Sequence, residues 1–357
     1  KLVNKTNIPI TTTLHGLGCF PGEDKSSLGM LGMHGNYEAN LAMNKCDLMI
    51  NVGARFDDRV TGRLDAFSPD SVKFHIDIDQ SSINKNVKVD FHTNTDITQT
   101  LKEINSFIES NNIELEKKDY TNWWGQINDW RKKECLHYEQ GEEIIKPQHA
   151  ISRLYDLTTQ KDTFITTEVG QHQMWAAQYY KFSKPNRWIT SGGLGTMGFG
   201  MPAAVGAQMA NPDSLVIDIA GEASFLMNIQ EIATAVQYKL PIKIFILNNE
   251  YMGMVRQWQE LLHGSRYSES YVDALPDFKK LAESFNAVGV RAKNISELDD
   301  AINEMVSIDR PVIADIWVDK KENCFPMIPS GAAHHEMLLS KYDKENPENQ
   351  EKGKVLV

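Results

Sequence analysis

The apolar positions of this chain fall into short runs that alternate with helical patterns. In the first third, "ITTTL", "LMINVGARF" and "KFHIDID" are β-branched or apolar runs of strand length, and "TQTLKEINSFIES" after them has helical periodicity. This alternation is typical of a parallel α/β sheet. It predicts one α/β domain in residues 1–112.

The same alternation resumes after Pro147 and continues to about residue 330. It predicts strands at "DTFITTEVG", "RWITSG", "SLVIDIAG" and "IKIFILNN", and helices at "HAISRLYDLT", "MPAAVGAQMA", "FLMNIQEIATAVQY" and "MVRQWQELL". The third of these helices has apolar residues at helical spacing and ends before Pro241, the apolar set being Phe225, Ile229, Ile232 and Val236. The chain is therefore predicted to be an α/β protein with two doubly wound parallel-sheet domains, the second at 147–330.

Two polar segments complete the predicted organisation. Residues 113–146 are expected to form an interdomain connection, whose middle has the pattern of an amphipathic helix with Trp123, Trp124 and Trp130 as packing anchors. Residues 331–357 are expected to form a C-terminal tail, polar enough over "KYDKENPENQEKGK" to be disordered.

Composition and charge exclude several classes of protein. The 357 residues are 41% hydrophobic and 24% charged, as in globular proteins, and 37 basic against 48 acidic residues argue against nucleic-acid or membrane partners. Four cysteines without a CxxC pair indicate the reduced thiols of a cytoplasmic protein, and no apolar run is long enough for a membrane span. The chain opens on Lys1 without a signal-type segment, and we expect this N-terminus to be a cut end.

Three glycine-bearing turns carry the candidate chemistry. The first, "GGLGTMGFG", contains G-x-G-x-x-G through Gly193, Gly195 and Gly198, which on its own permits a nicotinamide-dinucleotide site or a helix packed closely on a strand.

The other two turns, "AGEASF" and "NNEYMGM", follow successive predicted strands and therefore converge at one sheet edge. Glu222 and Asn249 offer the oxygen ligands that Mg²⁺ shares with phosphates, and the N-terminus of the helix after Glu222 favours the same phosphates. The alternative is a helix-capping acid beside an ordinary turn.

The spacing of these two turns resembles the diphosphate-binding motif of thiamin diphosphate enzymes. The stretches "TTEVGQHQMWAAQ", "ITSGGLGTMGFGMPAAVGAQ", "NNEYMGMVRQWQ" and "RYS", with "GMHG" and "GARFDDRVTG", resemble the catalytic subunit of acetohydroxyacid synthase, or acetolactate synthase, from about Ile8 to about Met337. The resemblance implies a central FAD-associated domain, N-terminally truncated, followed by a thiamin diphosphate domain. It also implies that the family's N-terminal pyrimidine-binding domain, with its activating glutamate, does not precede Lys1, so we expect the chain to be inactive alone.

The resemblance assigns Mg²⁺ to Glu222, Asn249 and the backbone carbonyl of Tyr251, although the family more often has aspartate at the position of Glu222. It implies that Met197 lies under the thiazolium ring, that Trp258 governs acceptor choice and that Arg59 lies near the acceptor carboxylate. Without the resemblance, Trp258 would be interpreted as a core residue. The thiamin diphosphate positions that it implies are Val169, Gly170, Gln171, His172, Gly195, Met197, Gly221, Ala223, Ser224, Asn249, Met252, Gly253 and Met254.

In the first domain the resemblance implies an FAD that does no net redox chemistry. The family's FAD positions correspond to Thr13, Leu14, Gly32, Met33, His34, Gly53, Ala54, Arg55, Asp57, Arg59, Val60, Asp77, Ile78 and Asp96. The implied reaction decarboxylates pyruvate and joins the two-carbon unit to pyruvate or 2-ketobutyrate. The implied partners are further copies in a homodimer or homotetramer, with the active site at the subunit interface, and a small regulatory subunit. Another thiamin-dependent carboligase or decarboxylase, or a non-catalytic nucleotide-binding protein of the same fold, stays an alternative.

Overall fold

The computed structural model describes residues 1–111, 113 and 120–340. The chain divides into two units, one of Lys1–Thr13, Asp24–Leu136 and the segment from Phe325 onwards, the other of Leu14–Glu23 and His137–Cys324. Residues 114–119 of the predicted connection and 341–357 of the predicted tail lie outside the described residues. The domain limits 1–112, 113–146, 147–330 and 331–357 stay a prediction.

The first unit is built from short parallel strands that alternate with helices. Its elements are α1 (Leu2–Thr6), β1 (Ile10–Thr12), β2 (Ser27–Met30), α2 (Tyr37–Lys45), β3 (Leu48–Val52), α3 (Asp58–Thr61), β4 (Val72–Asp77), β5 (Phe91–Asn94), α4 (Ile97–Ser110) and α5 (Thr121–Arg131). Strands β1 and β2 pair in parallel, and β3, β4 and β5 form a parallel sheet in that order. Helix α5 carries the predicted tryptophans, and Trp123 and Trp130 pack edge to face with ring centroids 5.6 Å apart.

The second unit has a longer alternation of strands and helices. Its elements are α6 (Pro147–Thr158), β6 (Thr163–Thr167), α7 (Gln171–Tyr179), β7 (Trp188–Ile189), α8 (Gly200–Ala210), β8 (Leu215–Ala220), α9 (Glu222–Phe225), α10 (Glu231–Gln237), β9 (Lys243–Asn248), α11 (Gly253–Leu262), α12 (Phe278–Ser284), β10 (Val288–Ala292), α13 (Ile295–Ser307) and β11 (Val312–Trp317). The described strands form one parallel sheet in the order β10-β11-β9-β8-β6-β7. The α/β fold class with parallel sheets is confirmed.

The order of these strands creates a switch point in the middle of the sheet. From β6 the chain moves outward to β7 on one side, then returns to place β8 and β9 on the other side. Ligands of open parallel sheets bind outside the carboxyl ends of the strands where this reversal occurs. Strands β6, β8 and β9 are direct neighbours, so the turns that follow them lie side by side.

The strands that form the site are buried along their whole length or nearly so. Every residue of β6 and β9 is buried, because both faces of a parallel sheet are covered by helices. The main cluster under the switch point joins Met201 and Ala204 of α8 to Val216 of β8, Ile244 of β9 and Phe225. The strands that form the site are therefore held on both sides.

One predicted helix is wrong in its extent. The stretch Phe225–Tyr238 does not form a continuous helix, because α9 ends at Phe225, a 3-10 turn covers Leu226–Asn228, and α10 begins at Glu231. The apolar residues still face the core, since Phe225 and Ile232 are fully buried. Helix α9 is only four residues long, so the dipole expected after Glu222 is that of a single turn.

Candidate active site at the sheet edge

The turns after β6, β8 and β9 enclose a cleft of about 450 Å³. Of the thirteen predicted thiamin diphosphate residues, the structure places twelve around this cleft and leaves Gly195 outside its lining. The lining comprises Val169, Gly170, Gln171, His172, Trp175, Met197, Gly221, Glu222, Ala223, Ser224, Leu247, Asn249, Tyr251, Met252, Gly253, Met254 and Val255. Sequence reasoning missed Trp175, Leu247 and Val255, although Trp175 follows Gln171 by one helical turn in α7, which places both on one face.

The predicted metal ligands lie on facing turns. Glu222 is 1% exposed, and its Oε1 atom has no hydrogen-bond partner. Burial raises the pKa of Glu222 to about 8, while the backbone N–H groups of Glu222, Tyr251 and Asn249 oppose that rise. The backbone N–H of Tyr251 also donates to Oδ1 of Asn249 over 3.1 Å. The carboxylate and the amide are therefore brought together as predicted.

This arrangement supplies only part of a metal's coordination. Over residues 1–111, 113 and 120–340, no group of three or more His, Cys, Asp and Glu side chains could hold a metal ion. A site of one carboxylate, one amide oxygen and one backbone carbonyl leaves several positions to other oxygen atoms. That sharing suits Mg²⁺, which usually keeps waters and takes phosphate oxygens as ligands.

His172 contributes a neutral ring to the cleft. Burial lowers the pKa of His172 to about 3, so the imidazole is uncharged near neutral pH. The ring lies against Gly221, where an added Cβ would be 2.6 Å from its Nδ1 atom. Only glycine fits there, so the backbone of the turn after β8 can approach a ligand closely.

The glycine turn "GGLGTMGFG" is bound by a carboxylate of the protein itself. Glu168 accepts hydrogen bonds from the backbone N–H of Gly198 at 2.6 Å and of Met201 at 3.1 Å, and from the Ser224 hydroxyl at 3.0 Å. A dinucleotide phosphate needs free N–H groups at this helix start. The geometry therefore disfavours the nicotinamide-dinucleotide alternative, and sequence reasoning missed this role of Glu168.

Helix α11 borders both the cleft and a second cavity. Trp258 lines this second, open pocket with Met254, Val255, Gln259, His263 and Arg266. Trp258 is half-buried, and the buried residues of α11 are Arg256, Gln257 and Leu261. Interpreting Trp258 as a core residue is therefore wrong, because α11 packs through a largely polar face.

An amide network bonds Gln257 on the buried polar face of α11. Gln171 donates to Oε1 of Gln257 at 2.9 Å and to the carbonyl of Glu322 at 3.0 Å, and it accepts from Asn249 at 3.3 Å. The side-chain oxygen of Gln257 also accepts from the backbone N–H of Cys324 at 2.7 Å. This network ties the turn after β9 to the first residue of α7.

Arg59 belongs to the first unit, where it lines a cavity of about 360 Å³. Its neighbours there are Met33, whose sulfur lies 3.6 Å from Arg59 Nη1, and the segment Ile328–Gly331. The guanidinium is exposed and adjoins the start of α3, which Asp57 caps by accepting from the Arg59 backbone N–H at 3.1 Å.

The predicted FAD positions of the first unit follow the carboxyl ends of its parallel strands. Thr13 follows β1, Gly32 to His34 follow β2, Gly53 to Arg55 follow β3, Asp77 ends β4 with Ile78 directly after it, and Asp96 follows β5. Leu14 alone falls in the second unit. Gly53 has φ of 72°, a conformation that favours glycine, and its N–H donates to the Ile76 carbonyl. Asp96 caps α4 and Arg55 pairs with Asp57 at 3.1 Å, so both also have structural roles.

Two family models match the chain. Residues 168–316 match the thiamine pyrophosphate enzyme, C-terminal TPP binding domain, and residues 1–104 match the thiamine pyrophosphate enzyme, central domain. The first match contains every residue that lines the cleft, and the second contains all the predicted FAD positions. Among the described residues, no helix has the length and apolar character needed to cross a membrane.

Curated relatives match nearly the whole chain. The acetolactate synthase isozyme 3 large subunit of Escherichia coli (strain K12) is 45% identical over 345 residues, which are 96% of this chain and 60% of that protein. The acetolactate synthase large subunit of Haemophilus influenzae is 43% identical over 97% of this chain and 60% of its own length. Acetolactate synthase 1, chloroplastic, of Zea mays is 42% identical over 95% and 54%. The chain spans about 60% of the length of the bacterial relatives.

Proposed function

We propose that the chain, of which residues 168–316 and 1–104 match models of thiamine pyrophosphate enzymes, provides the cofactor-binding part of an acetolactate synthase catalytic subunit. That enzyme decarboxylates pyruvate and joins the two-carbon unit to pyruvate or 2-ketobutyrate, at the start of branched-chain amino-acid biosynthesis. The observation that carries the proposal is the convergence of three turns on Glu222 and Asn249, at the carboxyl ends of β6, β8 and β9.

Bound thiamin diphosphate would supply the nucleophilic carbon and the electron sink that decarboxylation requires. The chain's own residues bind and orient. Ala223, Ser224 and the backbone of Gly221 would contact the diphosphate, and Met197 would support the thiazolium ring. The neutral ring of His172 adds a polar contact without adding a charge.

The residues present fit a magnesium ion. A buried carboxylate oxygen without a partner is costly, and Glu222 Oε1 is such an atom. A cation beside Glu222 would favour its anionic form and reverse the rise in pKa that burial causes. Asn249 Oδ1 and the Tyr251 carbonyl would complete the share of ligands that the protein provides.

The first unit fits an FAD held for its structural effect. Glycines at the ends of β2 and β3 let the backbone approach a ligand, and Gly32 lies so close to Arg59 that an added Cβ would meet its carbonyl oxygen. The buried Asp77 would take part at the end of β4. His34 is buried and its pKa is lowered to about 4 by burial, so it is a neutral contact.

Acceptor choice is proposed to depend on Trp258, and acceptor carboxylate binding on Arg59. Met254 and Val255 line both the cleft and the pocket of Trp258, so Trp258 lies one helical turn from the proposed cofactor positions. A homodimer or homotetramer, a regulatory subunit and a cytoplasmic location stay predictions; the four cysteines are all free, as reduced thiols would be.

Binding of thiamin diphosphate with Mg²⁺, measured by isothermal titration calorimetry, tests the metal assignment. We expect Glu222→Gln and Asn249→Ala each to weaken binding at least tenfold, because each removes an oxygen ligand or its charge. Glu231→Gln is the matched control, since it neutralises a carboxylate at the start of α10, outside the cleft. Equal affinity in all four proteins would refute the site.

Product analysis tests the activity. A polypeptide of the relatives' full length that carries these 357 residues is expected to form acetolactate from pyruvate, and Asn249→Ala is expected to abolish it. Acetaldehyde or another condensation product in its place would favour a different thiamin-dependent decarboxylase or carboligase.

A further inference from the structure

Glu168 lies between two turns of the cleft, and the proposed cofactor contacts do not account for its buried carboxylate. It follows β6 directly, is fully buried, and its backbone N–H donates to Ile219 of β8 at 3.1 Å. Its carboxylate accepts three hydrogen bonds, from the backbone N–H groups of Gly198 and Met201 and from the Ser224 hydroxyl. One side chain therefore joins the glycine turn before α8 to the turn after β8.

A second buried carboxyl lies beside Glu168. Asp218 of β8 is opposite Thr166 in the sheet, so it lies on the same face as Glu168 two residues further along β6. Asp218 is fully buried, its Oδ1 accepts only from the Thr166 hydroxyl at 3.1 Å, and its Oδ2 has no partner. Two such neighbours cannot both be ionised at low cost.

The hydrogen bonds decide which carboxyl holds the charge. Three donors point at Glu168, and donors to a carboxylate stabilise the anion. One donor points at Asp218, and a protonated Oδ2 needs less compensation than an anionic one. Burial raises the pKa of both carboxyls, but hydrogen bonds oppose the rise at Glu168, whereas burial and the charge of Glu168 together raise the pKa of Asp218 well above its usual value. Asp218 is therefore the carboxyl that keeps its proton.

We propose that Glu168 carries the single negative charge of this pair and acts as a positioning residue, fixing Met197 and Ser224 relative to each other. The inference rests on the proposed function, because Met197 and Ser224 are then the contacts for the two ends of thiamin diphosphate. The hydrogen bond from Gly198 fixes the position of the residue directly after Met197. The hydrogen bond from Ser224 fixes the position of the hydroxyl group in the turn after β8. Asp218 touches neither turn through a hydrogen bond and serves as the proton-bearing neighbour.

Two near-isosteric substitutions separate these roles. Glu168→Gln removes the charge and turns an NH₂ group toward at least one backbone N–H or hydroxyl donor. We expect it to weaken the affinity of the chain for thiamin diphosphate with Mg²⁺ at least tenfold, and to shift the Gly198 and Met201 amide resonances. Asp218→Asn replaces a neutral acid by a neutral amide, so affinity should stay within about twofold and both resonances should stay in place.

Urea unfolding of the same variants distinguishes positioning from general support of the core. A purely structural role predicts that affinity and stability fall in parallel for both substitutions, and that result would overturn the inference. An unchanged affinity and unchanged amide resonances in Glu168→Gln would overturn it too. If Glu168→Gln does not fold, Ser224→Ala supplies the test. The Ser224 hydroxyl also accepts directly from the Gly198 N–H at 3.3 Å, so the readout is the Met201 amide, which donates to Oε1 of Glu168. Loss of the hydroxyl should shift the Met201 resonance through the Glu168 carboxylate, and an unmoved Met201 resonance contradicts the proposal.

The amide resonances also keep the two proposals apart. They report the Glu168 contacts with or without cofactor, so they remain informative if the unsubstituted protein binds no thiamin diphosphate. Absence of that binding would count against the proposed function, whereas the response of Gly198 and Met201 would still decide whether Glu168 holds the turns.

Discussion

Replacing Arg256 by methionine is expected to destabilise the second unit more than any exposed arginine would. Arg256 is 3% exposed and donates to Oε2 of Glu260 at 2.6 Å, to the Glu322 carbonyl at 2.7 Å and to Oδ1 of Asn323 at 2.7 Å. The bonds to Glu322 and Asn323 fasten α11, which carries Met254 and Trp258, to the segment after β11. Methionine replaces the apolar stem of the arginine side chain but is shorter than arginine and has none of its donors.

The magnitude follows from what the substitution leaves behind. Removing one partner of a buried charge pair costs about 3–5 kcal/mol, because the other charge stays buried without compensation. Here Glu260 keeps a bond from Asn323 at 3.0 Å, and its side chain is 24% exposed, so water relieves part of the cost. We therefore take the lower end, about 3 kcal/mol, which for a unit of this size lowers the melting temperature by roughly 6–12 °C.

Native-state hydrogen exchange is the suitable assay, because two units can unfold separately and blur a single optical transition. The amides of Ile244 to Leu247 in β9 report the stability of the second unit. Arg153→Met is the matched control, since Arg153 of α6 pairs with Asp156 and Asp299 but is 30% exposed, and such pairs contribute about 1 kcal/mol or less.

A double-mutant cycle with Glu260→Gln isolates the pair. We expect the two substitutions together to cost clearly less than the sum of their separate effects, because both remove the same contact. Arg256→Met destabilising no more than Arg153→Met, with additive effects in the cycle, would refute the argument that α11 is held by this buried charge.

Two further predictions concern the cavity walls. Trp258→Leu, in a polypeptide of the relatives' full length, should change the ratio of 2-aceto-2-hydroxybutyrate to acetolactate by roughly tenfold while pyruvate consumption persists, since one methylene in an apolar pocket is worth about 1–3 kcal/mol; an unaltered ratio with competing 2-ketoacids removes Trp258 from the acceptor site. Gly221→Ala should weaken thiamin diphosphate binding, because the added Cβ would lie 2.6 Å from His172 Nδ1 and push the ring or the turn out of place. Gly206→Ala is the control, since an added Cβ there meets nothing. Equal affinities of the two variants in a calorimetric titration would show that the turn shifts freely and would contradict the prediction.

The sequence was sufficient for the parts of the fold that depend on local pattern. The strands around Ile217 and Ile246 are mostly apolar because both faces are buried, and Gly221 and Asn249 mark where these strands end. Right-handed crossovers then bring the two turns to one edge without further information. The sequence alone therefore predicts that Glu222 and Asn249 lie together.

A hydrophobic pattern that is compatible with two different local structures does not distinguish between them. Phe225 and Ile232 keep helical spacing across a 3-10 turn, so the apolar period alone predicted one helix where there are two. Trp258 has the spacing of a core residue, yet α11 buries Arg256 and Gln257 because partners in the segment at Glu322 to Cys324 satisfy them. Those partners lie more than 60 positions away in sequence, beyond the reach of any local pattern.

The glycine turn before α8 shows how such a distant partner changes the meaning of a motif. A G-x-G-x-x-G turn that opens a helix has free N–H groups and therefore suits a phosphate. In this chain a carboxylate from another strand, Glu168, takes the N–H groups of Gly198 and Met201, so the turn binds an anion that the protein supplies itself. The turn also places Met197 in the lining of the cleft. An anionic group of a ligand would then bind at the turn after β8. Because the carboxylate of Glu222 lies in this turn, we expect a cation to bind together with that anionic group.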